Sequence, residues 1–140
     1  MIGAVVQRLV SAAPELAGVE VAEDVEALAK GTAAAHGTCF VIPYRERARP
    51  NQIATGGYRQ LVQTQILTAF VVRHHNDARG AERAAMFDGL KRAVEVALAG
   101  WLADECENPF ELVGGESSPL ATGVSIYVQT WETTRFLTGE

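Results

Sequence analysis

The run YRQLVQTQILTAFVVR, from Tyr58 to Arg73, limits the folds open to this chain more than any other segment. It contains neither Gly nor Pro, and its Val, Ile, Leu, Thr, Tyr and Phe content suits a pleated, packed surface. Polar and apolar residues alternate from Arg59 to Thr64, so one face there meets solvent or a partner. From Ile66 to Val72 nearly every residue is apolar, as in a strand buried on both faces. A strand this long is more than twice the usual length of roughly 5–6 residues. It is expected to protrude from its own sheet at one end unless a bulge bends it.

The flanking segments place this strand in an α+β domain. Ile2, Val5, Val6, Leu9 and Val10 recur at helical spacing, and Pro14 closes that first amphipathic helix over residues 2 to 13. A short extended piece at Val19 to Val21 follows. Asp24 then caps a brief helix, DVEALAK, closed by Gly31. Thr38 to Tyr44 (TCFVIPY) reads as a strand, with Pro43 near its end or on an edge because proline offers no ladder donor. RERARPNQIATGG, from Arg45 to Gly57, lacks periodicity and reads as an exposed arm joining two strands into a long β-hairpin. After the polar turn HHNDAR comes the clearest helix, about Gly80 to Gly100. Phe87, Leu90, Val94, Ala97, Leu98 and Trp101 share its apolar stripe, opposite Asp88, Lys91, Arg92 and Glu95. A short strand at Phe110 to Val113, a GGESSP turn and a last strand from Val124 to Trp131 complete the chain. The expected architecture is a mostly antiparallel sheet with a long β-hairpin and helices packed on one face. Its 140 residues form a single domain.

Composition narrows the function. Hydrophobic residues make up 48% and charged residues 21%, enough to bury a core without staples. The net charge of -5 argues against general nucleic-acid affinity, which needs a basic surface. Of 12 basic residues only Lys30 and Lys91 are lysine. Arginine suits bidentate pairs at interfaces, although a GC-rich genome gives the same bias. Cys39 and Cys106 are expected to be free thiols in a reducing compartment. The N-terminal segment lacks the basic region of a signal peptide, and no apolar run reaches the roughly 18–20 residues of a membrane span. The expectation is a soluble protein of the cytoplasm with no membrane contact.

No catalytic signature stands out. His74, His75 and Asp77 are the one metal-like group, but they lack the helical i, i+4 histidine pair, and a polar turn with Asp77 as helix cap accounts for them better. Cys106 lies among Asp104, Glu105 and Glu107, whose charge disfavours a thiolate. Ser117 and Ser118 do not form a nucleophile elbow. The acidic residues Asp104, Glu105, Glu107 and Glu111 fit no ordered cation loop. No cofactor and no catalytic, metal or cofactor-binding residue is assigned. Arg45, Arg47 and Arg49 on the arm either offer an interface to an acidic neighbour or simply keep an exposed loop in water. Tyr58, Arg59 and Gln63 on the exposed half of the long strand extend that candidate interface.

Three segments resemble the tail terminator proteins of long-tailed bacteriophages, in the minor-tail-protein family that includes the lambda-type terminator. They are the helix and hairpin ending in YRQLVQTQILTAFVVR, the helix GAERAAMFDGLKRAVEVALAGW, and the closing segment ELVGGESSPLATGVSIYVQTWETTRF. The resemblance covers roughly residues 58 to 136 and rests on hydrophobic pattern with a few Gly and Trp positions. It implies a structural protein without catalysis, located at the head-proximal end of the virion tail and assembled in the host cytoplasm. Such proteins form a ring, commonly a hexamer, on the last ring of the tail tube protein. They stop tube growth and present a surface to neck or head-completion proteins, and DNA passes through the lumen without specific binding. Three alternatives stand beside this: a neck or head-tail connector completion protein of similar fold, a metal-dependent enzyme using His74, His75 and Asp77, and a module binding a small molecule or peptide.

Overall fold

A computed structural model describes residues 1–30, 34–53, 56–73, 81–121 and 123–138. The elements follow one another as α1 (Ile2–Ala12), β1 (Gly18–Val21), α2 (Val25–Lys30), β2 (Thr38–Ala48), β3 (Arg59–Arg73), α3 (Ala81–Leu98), β4 (Glu111–Ala121) and β5 (Val124–Thr138). The five strands form one sheet in the order β1-β2-β3-β5-β4. Only β1 and β2 are parallel, joined through α2, and every other pair is antiparallel. The fold is therefore α+β, with β3 at its centre.

Strand alternation divides the sheet into two faces. Ile66, Phe70 and Val72 of β3 join Cys39 and Val41 of β2 and Trp131 of β5 on one face, which we call the helical face. Val5 and Leu9 of α1, one helical turn apart, and Leu90, Val94, Ala97 and Leu98 of α3 pack onto it. This is the main core. On the opposite, open face Ile42, Leu67 and Ala69 form a smaller cluster under Val25 and Leu28 of the short α2. The two long helices thus share one face, and α2 covers part of the other. Arg8 of α1 donates through Nε to the Ala97 carbonyl at 2.8 Å, supplying one of the last carbonyls of α3 with a partner.

Three segments differ from the sequence expectation. β2 continues past Tyr44 through Arg45, Glu46 and Arg47 to Ala48, where an exposed loop was expected. Both faces of that extension are polar, so no apolar alternation marks it as a strand. Pro43 lies beyond the Val21–Val41 pair that ends β1's cover of β2, where a missing donor costs nothing, and a bulge follows at Tyr44. The second difference is GGESSP, which lies within β4 rather than forming a turn. The hairpin closes instead between Ala121 and Val124, where Gly123 adopts φ 73°. Gly115 is needed for another reason: a Cβ there would sit 2.7 Å from Tyr127 Oη and 2.9 Å from Tyr127 Cε1. The Tyr127 ring is held in turn against Phe70 at 5.5 Å and Phe87 at 5.7 Å. Gly115→Val is expected to displace that ring and to lower stability by roughly 1–3 kcal/mol, measured as a lower urea midpoint with unchanged slope.

The third difference concerns tryptophan. Trp101 was expected on the buried stripe of the long helix, but α3 ends at Leu98 and Gly100 turns the chain at φ 78°. Trp101 is half-buried, stacked on Phe110 with ring centroids 5.6 Å apart and Arg8 at 5.7 Å. The fully buried indole is Trp131, whose Nε1 donates to Thr68 Oγ1 at 3.1 Å. Both cysteines are free and buried. Burial pushes the Cys39 thiol up to about 12, and burial, followed by the Glu105 charge, raises that of Cys106, so neither is a poised nucleophile. His74, His75 and Asp77 lie outside the described residues. No group of three or more metal-ligating side chains is present among the described ones.

Candidate assembly surface

The far ends of β2, β3 and β5 form a three-stranded extension, with β3 in the middle. β3 pairs with β5 along its whole length, from Arg59–Thr138 to Arg73–Val124. Its outer half therefore projects with a strand on each side, not alone. The ladder with β2 runs out to Ala48–Val62, and the Arg49 amide donates to the Leu61 carbonyl at 2.8 Å. Asn51 closes the loop beyond, its Oδ1 accepting from the amides of Ile53 at 3.2 Å and Arg59 at 3.1 Å.

The bulge at Tyr44 decides which side chains share a face. Pro43 pairs with Ile66 and Arg45 pairs with Gln65, one residue out of the preceding alternation. That shift puts Arg45 and Arg47 on the open face with Gln63 and Gln65, and Glu46 on the helical face with Thr64. Arg59 also faces the open side, its guanidinium carbon 3.8 Å from the centre of the Phe136 ring. Arg45 donates through Nε to Gln65 Oε1 at 2.8 Å, and Gln65 Nε2 donates to Glu132 Oε1 at 2.9 Å. A depression of about 400 Å³ is lined by Arg45, Glu46, Arg47, Gln63, Gln65 and Glu132. Among the described residues, Arg45, Arg47 and Arg59 form no direct ion pair. The open face of the extension is thus positive and exposed.

The helical face of the extension is differently charged. Glu46 Oε2 accepts from Arg135 Nε at 2.9 Å and from Thr64 Oγ1 at 2.7 Å, and Glu46 Oε1 accepts from Arg135 Nη2 at 3.2 Å. A groove of about 580 Å³ lies beside this pair, bordered by Met1, Ile2, Tyr44, Glu105 and Ile66. The Arg135 guanidinium, and next the Thr64 hydroxyl, hold the Glu46 carboxyl below its ordinary value. A lowered carboxylate contributes stability that is present above the unfolded value of about 4.3 and lost as pH falls through the lower folded value. Because Glu46 is 46% exposed, screening limits that contribution to less than about 1 kcal/mol. Glu46→Gln is expected to lower the urea midpoint slightly at about pH 7, with the gap to wild type narrowing as pH falls below about 4.3.

Of the residues singled out in the sequence, Arg45, Arg47, Arg59 and Gln63 come together on one face. Arg49 lies just beyond the end of β2, and Tyr58 precedes β3 with its hydroxyl hydrogen-bonded to Gln60 Oε1. Sequence reasoning missed Gln65, Glu132 and Arg135. The signal was there in WETTRF, whose alternation continues beyond Trp131 and carries β5 to Thr138.

The family model described as phage tail terminator protein matches residues 2–139. No curated protein matches the chain. Among solved structures, a chain from the virion of a native gene transfer agent particle has a similar fold, with a TM-score of 0.57 and 16% sequence identity. The match covers 98% of this chain and 95% of that one.

Proposed function

The chain belongs to the phage tail terminator family, and from that membership we propose that it caps the tail tube as a ring-forming subunit. It is a structural protein of the phage virion, in a family whose members are tail components rather than enzymes. In the proposed role, copies assemble head-to-tail into a closed ring, commonly of six, on the last ring of tube protein. The ring stops tube growth at the head-proximal end of the tail and offers its other surface to neck or head-completion proteins. The family match over nearly the whole chain carries this reading. A closed ring needs two different surfaces on each subunit that fit one another, and an exposed, positively charged extension on a net-negative chain suits one of them. The net charge of -5 also suits a lumen through which DNA passes without sticking, provided acidic groups line it.

The test is a tube-assembly reaction with purified tube protein, in which the subunit is added at increasing concentration. Tubes that shorten to a narrow length distribution and carry a ring at one end support the role. Tubes that grow unchanged, with no bound ring, contradict it. A neck or connector completion protein of similar fold is the alternative outcome, recognised by binding to heads and not to tubes.

A further inference from the structure

We propose that neighbouring subunits join by strand addition, the free edge of β2 in one copy pairing antiparallel with β4 of the next. This rests on the ring reading above and specifies the contact that closes the ring. The sheet has two open edges on opposite sides. On one, β1 covers β2 only as far as the Val21–Val41 pair, so Ile42–Ala48 has no strand on its outer side among the described residues; Pro43 offers no donor and a bulge follows it, so the regular part of this free edge is Arg45–Ala48. On the other, β4 is the last strand of the sheet. An uncovered edge presents a row of backbone donors and acceptors ready to pair with another chain.

Natural edges are usually blunted by charge, proline or bulges. From Glu111 to Ser118, β4 carries no lysine, arginine or proline, and its charges, Glu111 and Glu116, are of one sign. It holds two adjacent exposed apolar residues, Leu112 at 46% and Val113 at 55%, and then Gly114 and Gly115. The bulge between Leu112 and Gly114 leaves the stretch from Gly114 to Pro119 in regular register with β5. Such an edge is suited to being covered.

Direction and charge select its partner. β2, β3, β5 and β4 alternate in sense across the sheet, so β2 and β4 run opposite ways. Rotation about an axis along the strands preserves each strand's sense, and β2 of one copy then meets β4 of the next antiparallel, the more stable pairing. Side-chain parity matches as well. Glu111 pairs with Glu132 and Glu116 with Val128, which puts both glutamates on the open face. That is the face of Arg45 and Arg47. In a sheet continued from copy to copy, the arginines of one edge, which form no ion pair among the described residues, stand beside the glutamates of the other, as complementary interfaces require.

Amide hydrogen exchange on the wild type, before and after assembly on tail tubes, reads the backbone directly. The amides of residues 45–48 and 114–118 are expected to gain protection together. Circular dichroism is expected to show that R45E/R47E and E111R/E116R each fold as the wild type does. Each is expected to raise the concentration needed for assembly at least about tenfold, through like-charge contact. The four-fold charge swap is expected to return it to within about threefold of wild type. Rings that form while both segments exchange as in the free chain overturn edge pairing and leave the ring reading intact, as does a swap that fails to rescue. A wild type that neither forms rings nor binds tubes overturns the ring reading itself, and edge pairing with it.

Discussion

Replacing Trp131 by alanine is expected to lower the stability of the folded chain by about 3–5 kcal/mol, a large share of the roughly 5–15 kcal/mol that holds a typical domain together. The indole has no exposed surface and lies in the main core beside Ile66, its partner across the β3–β5 ladder. Truncation leaves a cavity, and it also removes the donor that satisfies the buried Thr68 hydroxyl. Trp131→Phe keeps most of the volume and loses the hydrogen bond, so it is expected to cost less. Trp101→Ala is the informative contrast. That ring is half-buried and stacks on Phe110 at the surface end of the core, and its loss is expected to cost about half as much. Urea denaturation of the three variants gives the ranking. A Trp101→Ala variant less stable than Trp131→Ala would show the core to be wrongly placed.

The second large effect falls on assembly and leaves folding alone. Reversing Arg45, Arg47 and Arg49 to glutamate turns three positive charges negative on the exposed end of β2 and the residue just beyond it. The monomer is expected to keep its stability to within about 0.5 kcal/mol, because all three side chains are exposed, Arg45 makes one exposed hydrogen bond and lies 5.0 Å from the Tyr44 ring, and none forms an ion pair among the described residues. Tail completion is expected to fail, giving tails of irregular length and a large loss of infectivity when the variant replaces the wild type. Purified monomer with an unchanged thermal midpoint, together with uncapped tails, is the combined result expected. Normal tail length and infectivity would remove the arginines from any part in assembly.

The parts of the fold legible in the sequence were those whose pattern is local. The strand from Tyr58 to Arg73 and the two long helices announce themselves by unbroken apolar periodicity, and the structure places them within two residues of the expected bounds. What was not legible depends on partners far away in the chain. The extension of β2 through Arg45, Glu46 and Arg47 has no apolar face, and only its ladder with β3 makes it a strand. GGESSP carries every local mark of a turn, yet β5 supplies a ladder along it, and Gly115 is accounted for by the Tyr127 ring lying over it. The apolar stripe of α3 appeared to run on to Trp101 because periodicity cannot show that Gly100 turns the chain first.

The candidate surface was half legible for a related reason. Arginines on an arm beside a long strand suggested an exposed patch, and Arg45, Arg47, Arg59 and Gln63 do share one. Their common face depends on a single bulge at Tyr44 that flips the alternation of everything after it. Pro43 hints at such an irregularity without fixing its position. Glu46 and Arg135, 89 residues apart, meet only because β3 brings β2 and β5 to either side of itself. No spacing in the sequence marks that pair.

The most direct test of the proposed role is to image tail tubes by electron microscopy after adding the purified subunit. The expected result is one ring, at one end of each tube, with tube length fixed from the moment the ring binds. A subunit that stays monomeric, leaves both tube ends bare and lets growth continue would contradict the account of this chain as the cap of the tail tube.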